Sequence, residues 1–207
     1  MSNSEGVIQF ELEHTSKALD ALPEIQGLIS WHSILHKLGL VGQDPQRYGG
    51  YAFGNISQRS GKDRFIISAT QTGGHRDLNA DDFAEVLGCD VTNNRVRSQG
   101  VSKPSSECMT HAAIYEANTD IGAVVHSHST LIWSNWSTLG TAVISENIEY
   151  GTPAMAKAVK ECVNQSEHLT RGAIVMLGHE DGVITYANDL ETAVLDMVRL
   201  LARSNSE

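Results

Sequence analysis

The stretch Gly122–Ser129, GAVVHSHS, restricts the fold more than any other part of the chain. A short run of small and β-branched apolar residues reads as a buried strand. Side chains alternate along a strand, so residues two apart project to the same side, and His126 and His128 stand together at the end of the run. The chain must therefore build a sheet in which one buried strand delivers two imidazoles to one place. Two converging imidazoles suit a metal ion. The same spacing also suits two histidines satisfied by hydrogen bonds, and the pair alone does not separate these readings.

The surrounding pattern is that of one α/β domain. Residues 1–24 read as a polar, loosely held lead-in and residues 25–207 as the folded domain. Ile25, Leu28, Ile29, His32, Leu35, His36 and Leu38 follow helical spacing, with Gly39 suited to closing the helix. His32 and His36 are expected at the surface or along a groove. Strand-like runs occur at 51–56, 65–69, 123–126, 142–144, 173–177 and 183–186. Helix starts are expected at Ser105 or Ser106, at Thr152 with Pro153 in the first helical position, and at Asn188 or Asp189. Several connections are too short for crossover helices, so neighbouring strands are expected to be partly antiparallel.

Composition excludes several classes of function. A formal charge of −10 with no basic stripe argues against nucleic acid as a partner. No stretch is apolar enough to span a bilayer, so no membrane partner is expected. The start, Met-Ser-Asn-Ser-Glu, lacks the order of a secretory signal, which favours a cytoplasmic protein. Three separated cysteines, Cys89, Cys108 and Cys162, read as ordinary reduced side chains. An anionic ligand would need a local trap in so acidic a chain.

His179 is the natural third partner for the histidine pair, because it follows the apolar run GAIVML and sits in the turn GHEDG. Zinc accepts three protein ligands with a fourth position left for a reactant. The segment KPSSECMTH places Ser105 and Ser106 at a helix start, with Glu107 in the first turn. Exposed backbone N–H groups and hydroxyls at such a start bind phosphate or carboxylate. Together with the turns GNISQRSG and SATQTGG, they offer Asn55, Ser57, Thr72, Gly73, Ser105 and Ser106 as an anion trap. Each segment alone is an ordinary cap or turn. His111 reads as a structural hydrogen-bonding residue, while His75 and Arg76 lie near the trap in sequence. Trp133 and Trp136 are read as core packing or as lining for a substrate mouth or subunit contact.

The order GNIS, TGG, KPSSE, AVVHSHS and a strand ending in histidine resembles the class II aldolase/adducin-like family of sugar-phosphate aldolases and epimerases, over about residues 25 to 200. The resemblance implies a three-layer α/β/α sandwich with a central, mainly antiparallel sheet, assembled as a homotetramer with active sites at subunit contacts. It implies that His126, His128 and His179 hold Zn2+ or another divalent metal, and that Glu107 is the general base. Asn55, Thr72, Gly73, Ser105 and Ser106 match positions that hold the phosphate of a sugar phosphate. The implied reaction is retro-aldol cleavage of a ketose phosphate or related sugar through an enediolate whose charge the metal stabilises.

Epimerases of this kind tend to carry aspartate where this chain has Glu107, which favours cleavage. Two departures stand against a simple transfer of roles. The family's usual asparagine-histidine-glycine becomes GHEDG, whose Glu180 and Asp181 either orient His179 or are solvated, with solvation the favoured expectation. The tail LARSNSE lacks the tyrosine that the aldolases use as a proton donor, so another residue does that work or the chemistry differs; Tyr150 in EYGTP is the candidate donor, with packing as the commoner role of an aromatic there. Alternatives are a sugar-phosphate epimerase or decarboxylase on the same site, or a non-catalytic adducin-like binding module.

Overall fold

The computed structural model describes residues 7–19 and 23–206. Its strands are β1 (Glu11–Ser16), β2 (Gly42–Gln43), β3 (Ala52–Phe53), β4 (Asn55–Gly61), β5 (Arg64–Ser68), β6 (Phe83–Asp90), β7 (Arg95–Gly100), β8 (Ala123–His128), β9 (Ala142–Ile144), β10 (Gly172–Met176) and β11 (Gly182–Ala187). The helices are α1 (Pro23–Lys37), α2 (Cys108–Ala117), α3 (Thr130–Ser134), α4 (Trp136–Leu139), α5 (Pro153–Gln165) and α6 (Leu190–Ser204). Nine strands form one sheet in the order β1-β7-β6-β5-β4-β8-β11-β10-β9. The seven inner strands pair antiparallel, whereas each outermost strand, β1 on β7 and β9 on β10, pairs parallel.

Two apolar clusters sandwich this sheet. Leu28 and Leu35 of α1 and Val194 and Met197 of α6 pack with Ala123 and Val125 on one face. Met109 and Ile114 of α2 and Met155 and Val159 of α5 pack with Val124 on the other. Strand β8 is therefore covered on both sides, and all six of its residues are buried. Its lack of polar alternation before the histidines follows from that position. This is the three-layer, mainly antiparallel arrangement that the motif order implied. No helix among the described residues is long and apolar enough to cross a membrane.

Local signals placed several elements closely. Thr152 accepts from the Met155 N–H at the start of α5, and the Asp189 side chain accepts from the Thr192 N–H at the start of α6. Strands β1 and β7 leave no such mark, because they carry few apolar residues. Strand β7 is RVRSQG, and β1 is ELEHTS with no residue fully buried. Strand β1 lies inside the segment read as a loose lead-in, held instead by a six-residue parallel ladder to β7. A sheet edge needs backbone partners more than apolar side chains, so it leaves little trace in hydrophobic periodicity. Strand β6 is hidden for another reason, since a register shift between Val86 and Gly88 interrupts its alternation.

His32 also differs from expectation. It shares the inward stripe of α1 with Leu28 and Leu35, and it is fully buried rather than surface or groove-lining. Burial first, then the neighbouring His36, lowers its pKa from 6.5 to about 4. His32 is thus neutral in the folded state yet titrates normally in the unfolded chain. The unfolded state binds the extra proton, so stability falls as pH drops below about 6.5 and the loss levels off below about 4. Between pH 8 and pH 5 this one group should cost about 2 kcal/mol. Urea unfolding of metal-free protein at both pH values should show a flatter dependence in His32→Leu, and an unchanged slope would refute the assignment.

Candidate metal centre

Three imidazoles meet where the central strands end. His126 and His128 project from the same face of β8, and β11 runs antiparallel beside them with Gly182 opposite His128. The turn between β10 and β11 carries His179, whose N–H donates to Met176 O at 3.1 Å. That turn needs glycine at 178, since a Cβ there would meet Ile148 O at 2.1 Å. The close approach brings the segment before α5 against the turn, and Tyr150 from that segment stacks on the His179 ring at 4.2 Å and 14°.

The donor set fits a divalent ion. One ring nitrogen from each histidine lies within 4.8 Å of the others, and each residue is 1% exposed. The Nε2 atoms of His126 and His128 are 3.2 Å apart. Two nitrogens bound to one tetrahedral zinc at its usual bond length are separated by about 3.3 Å. His126 Nδ1 lies 3.2 Å from Val183 O, so the ring donates there and keeps the Nε2 lone pair for a ligand bond. Neutral imidazole nitrogens suit zinc and its first-row neighbours and leave the ion's charge intact.

A polar network borders the cluster on the His128 side. The Tyr48 ring stands edge-on to His128 at 4.6 Å, and Phe53 lies 5.4 Å from the same ring. Tyr48 donates its hydroxyl to Asp181 Oδ2 at 2.6 Å, Arg47 donates to the same oxygen at 2.9 Å, and Thr130 Oγ1 donates to it at 2.9 Å. Burial raises the proton affinity of Asp181, but the bonds from Tyr48, Thr130 and Arg47 outweigh it and hold the carboxyl below its usual range. Burial and that carboxylate push the Tyr48 hydroxyl far up, so it stays protonated as a donor. Glu180 is exposed as expected, whereas Asp181 is 6% exposed and bonded, which corrects the expectation that both acids are solvated. Neither Tyr48 nor Arg47 was singled out from sequence, because no periodicity marks a turn residue whose partner is over a hundred positions away.

The structure brings together some, not all, of the residues expected to form an anion trap. Asn55, Gly73, Ser105, Ser106 and Glu107 line one recess of about 10 Å³, room for a single water. Asn55 sits opposite His126 in the β4–β8 ladder, which places the recess beside the histidines. Gly73 belongs there sterically, as a Cβ would meet Phe53 O at 2.5 Å. Gln71, absent from the sequence candidates, lines it too, with a buried Nε2 that has no partner among the described residues. Its backbone takes φ 62°, a costly conformation for a side chain of this kind.

Two trap candidates point elsewhere. Thr72 Oγ1 donates to Ala69 O at 2.7 Å, closing its own turn. The Ser57 hydroxyl lies 2.7 Å from His111 Nδ1 and 2.8 Å from the Tyr115 hydroxyl, inside the α2 interface. His111 is accordingly a structural hydrogen-bonding residue, with its pKa lowered to about 3 by burial. Helix α2 begins at Cys108, after the expected serines, and Glu107 occupies its N-cap position. The Glu107 N–H donates to Ser105 Oγ at 3.2 Å, and Glu107 Oε2 accepts from Thr110 Oγ1 at 3.1 Å. Glu107 is 3% exposed.

The remaining candidates have structural surroundings. His75 is exposed and lies 3.3 Å from Asp82, and Arg76 is exposed; neither lines the recess. Trp133 donates from Nε1 to Met176 O at 3.0 Å, and both Trp133 and Trp136 pack on the core cluster of α1 and α6. Burial, then a hydrogen bond with Cys89, raises the Cys108 thiol well above its ordinary value, which suits an unreactive side chain.

Known proteins place this geometry in context. The chain is 35% identical over 102 residues to a methylthioribulose-1-phosphate dehydratase of Gluconacetobacter diazotrophicus, covering 48% of this chain and 46% of that protein. It is 27% identical over 158 residues to the L-ribulose-5-phosphate 4-epimerase UlaF of Salmonella paratyphi B, covering 69% of this chain and 67% of that one. The chain thus spans less than half of the dehydratase it matches. An L-fuculose-1-phosphate aldolase from Thermus thermophilus has the same fold, with TM-score 0.61 and 17% identity over 88% of this chain and 89% of that one. The profile of the class II aldolase and adducin N-terminal domain runs over residues 45–203, from the Arg47–Tyr48 turn through all three histidines to the last turn of α6, and the chain belongs to that family.

Proposed function

We propose that this chain is a divalent-metal-dependent aldehyde-lyase that cleaves a ketose phosphate, or a related sugar, by a retro-aldol reaction. The observation that carries the reading is the buried convergence of His126, His128 and His179, with Glu107 and Asn55 lining a recess alongside. A divalent ion held by the three imidazoles, zinc in the first instance, would supply positive charge to the oxygens of the enediolate that cleavage releases.

The chain's own residues account for positioning and for protons. Asn55, Gly73, Ser105 and Ser106, joined by the Gln71 amide, are assigned to the phosphate. When the carbon–carbon bond breaks, its electron pair stays on the carbon beside the carbonyl. Glu107 gives that carbon a proton, and in the condensation direction removes it. Tyr150 is assigned the proton on the aldehyde-side oxygen, donating it in condensation; in cleavage its phenolate takes that proton, and exchange through solvent then returns a proton from Tyr150 to Glu107 for the next turnover. Its stacking on His179 supports that place. The homotetramer implied by the family resemblance is part of the same proposal.

A second reading, epimerisation or dehydration of a sugar phosphate, is favoured by what the two relatives are named for. Both reactions also form an anion beside a carbonyl. Incubating metal-loaded protein with a panel of ketose 1-phosphates should release dihydroxyacetone phosphate and an aldehyde, measured by coupled reduction. Interconversion of stereoisomers would assign the epimerase instead, loss of water the dehydratase, and loss of carbon dioxide from an oxidised sugar phosphate the decarboxylase. Metal binding without turnover of any member would leave the binding-module alternative.

A further inference from the structure

We infer that Asp181 is a positioning residue whose buried carboxylate straps together the two chain segments that carry His128 and His179. The inference rests on the reading that the three histidines hold a divalent metal. Asp181 follows His179 by two residues, and Thr130 follows His128 by two. Their bond at 2.9 Å ties one ligand segment to the other, and a second tie runs from the Ser129 N–H to Asp181 O at 2.9 Å. The same carboxylate oxygen fixes the Tyr48 hydroxyl at 2.6 Å, and the Tyr48 ring abuts His128 at 4.6 Å. One side chain thereby sets both the spacing of the His128 and His179 rings, whose centroids are 4.7 Å apart, and the orientation of the first.

The backbone argues that this arrangement is maintained for a purpose. Asp181 has φ 60° and Tyr48 has φ 49°, two non-glycine residues in the left-handed region joined by a single hydrogen bond. Such conformations persist where surrounding contacts over-determine them, and they gather at functional sites. A buried carboxylate is itself costly unless paired, and here it is met by Arg47 at 2.9 Å. Groups hydrogen-bonded to a metal's ligands orient them, and their loss typically weakens metal binding about 10–100-fold; Asp181 acts through Tyr48 and Thr130, one contact further out, so the low end of that range applies.

Protein stripped of metal and titrated with Co2+ against a chelator tests this without reference to turnover. Asp181→Asn should bind Co2+ about 10-fold more weakly than the parent and show altered visible absorption bands. A merely structural role would shift the melting temperature and leave the bands alone. Affinity within about twofold of the parent, with superimposable bands, would overturn the inference. If Asp181→Asn folds poorly, Thr130→Val and Tyr48→Phe each delete one bond to Asp181 and should weaken binding at least about threefold. Parental affinity in both would likewise overturn it. A His126→Ala arm separates the underlying reading, because parental Co2+ affinity in that variant means the histidines are not the ligands at all.

Discussion

His126→Ala should lose its divalent metal almost entirely while keeping the fold. Removing one of three imidazoles takes away a ligand bond rather than an orienting contact, so affinity should fall by more than the roughly 10–100-fold typical of outer partners, on the order of 10³ or beyond. The sheet should survive, because β8 keeps its ladders to β4 and β11 on both sides. One of the ring's ties to the protein is the contact from Nδ1 to Val183 O. Metal analysis of purified parent and variant, with circular dichroism as the check on folding, gives the comparison. Roughly stoichiometric metal in the parent and almost none in the variant is expected; equal content in both would defeat the assignment of His126 as a metal ligand.

The second large effect is expected at Glu107. Glu107→Gln preserves shape and can still accept the hydrogen bond from Thr110, but an amide cannot carry the proton that the proposed reaction moves. Metal content should therefore remain parental while kcat falls by about 10²–10⁴. Exchange of solvent deuterium into dihydroxyacetone phosphate isolates the proton step from bond cleavage and should fall in parallel. A variant that cleaves and exchanges at the parental rate would show that another group does this work.

The two predictions draw on residues that differ in how they are found. His126 and His128 follow from strand alternation alone, and His179 from a strand that ends in a glycine-rich turn. The caps at Thr152 and Asp189 are local chemistry and are equally plain in sequence. Other features depend on partners that no local rule supplies. Asp181 meets Arg47 across 134 residues and Thr130 across 51, so the acid in GHEDG reads as solvated until the chain is folded. Ser57 reads as part of an anion trap because its turn is polar, yet its hydroxyl is held by α2, 54 residues further on. Gln71 gains meaning only from the recess that its amide lines.

The amino-acid order by itself determined the alternation of strands and helices, the central buried strand and the three imidazoles at strand ends, because periodicity and capping act over a few residues. The tertiary structure decided which polar strands complete the sheet's far edge, that His32 is buried in the core, and which hydroxyls and carboxylates surround the cluster. Those outcomes depend on contacts between segments distant in the chain. Pairing at a sheet edge and satisfaction of a buried charge are properties of the assembled layers rather than of any one stretch.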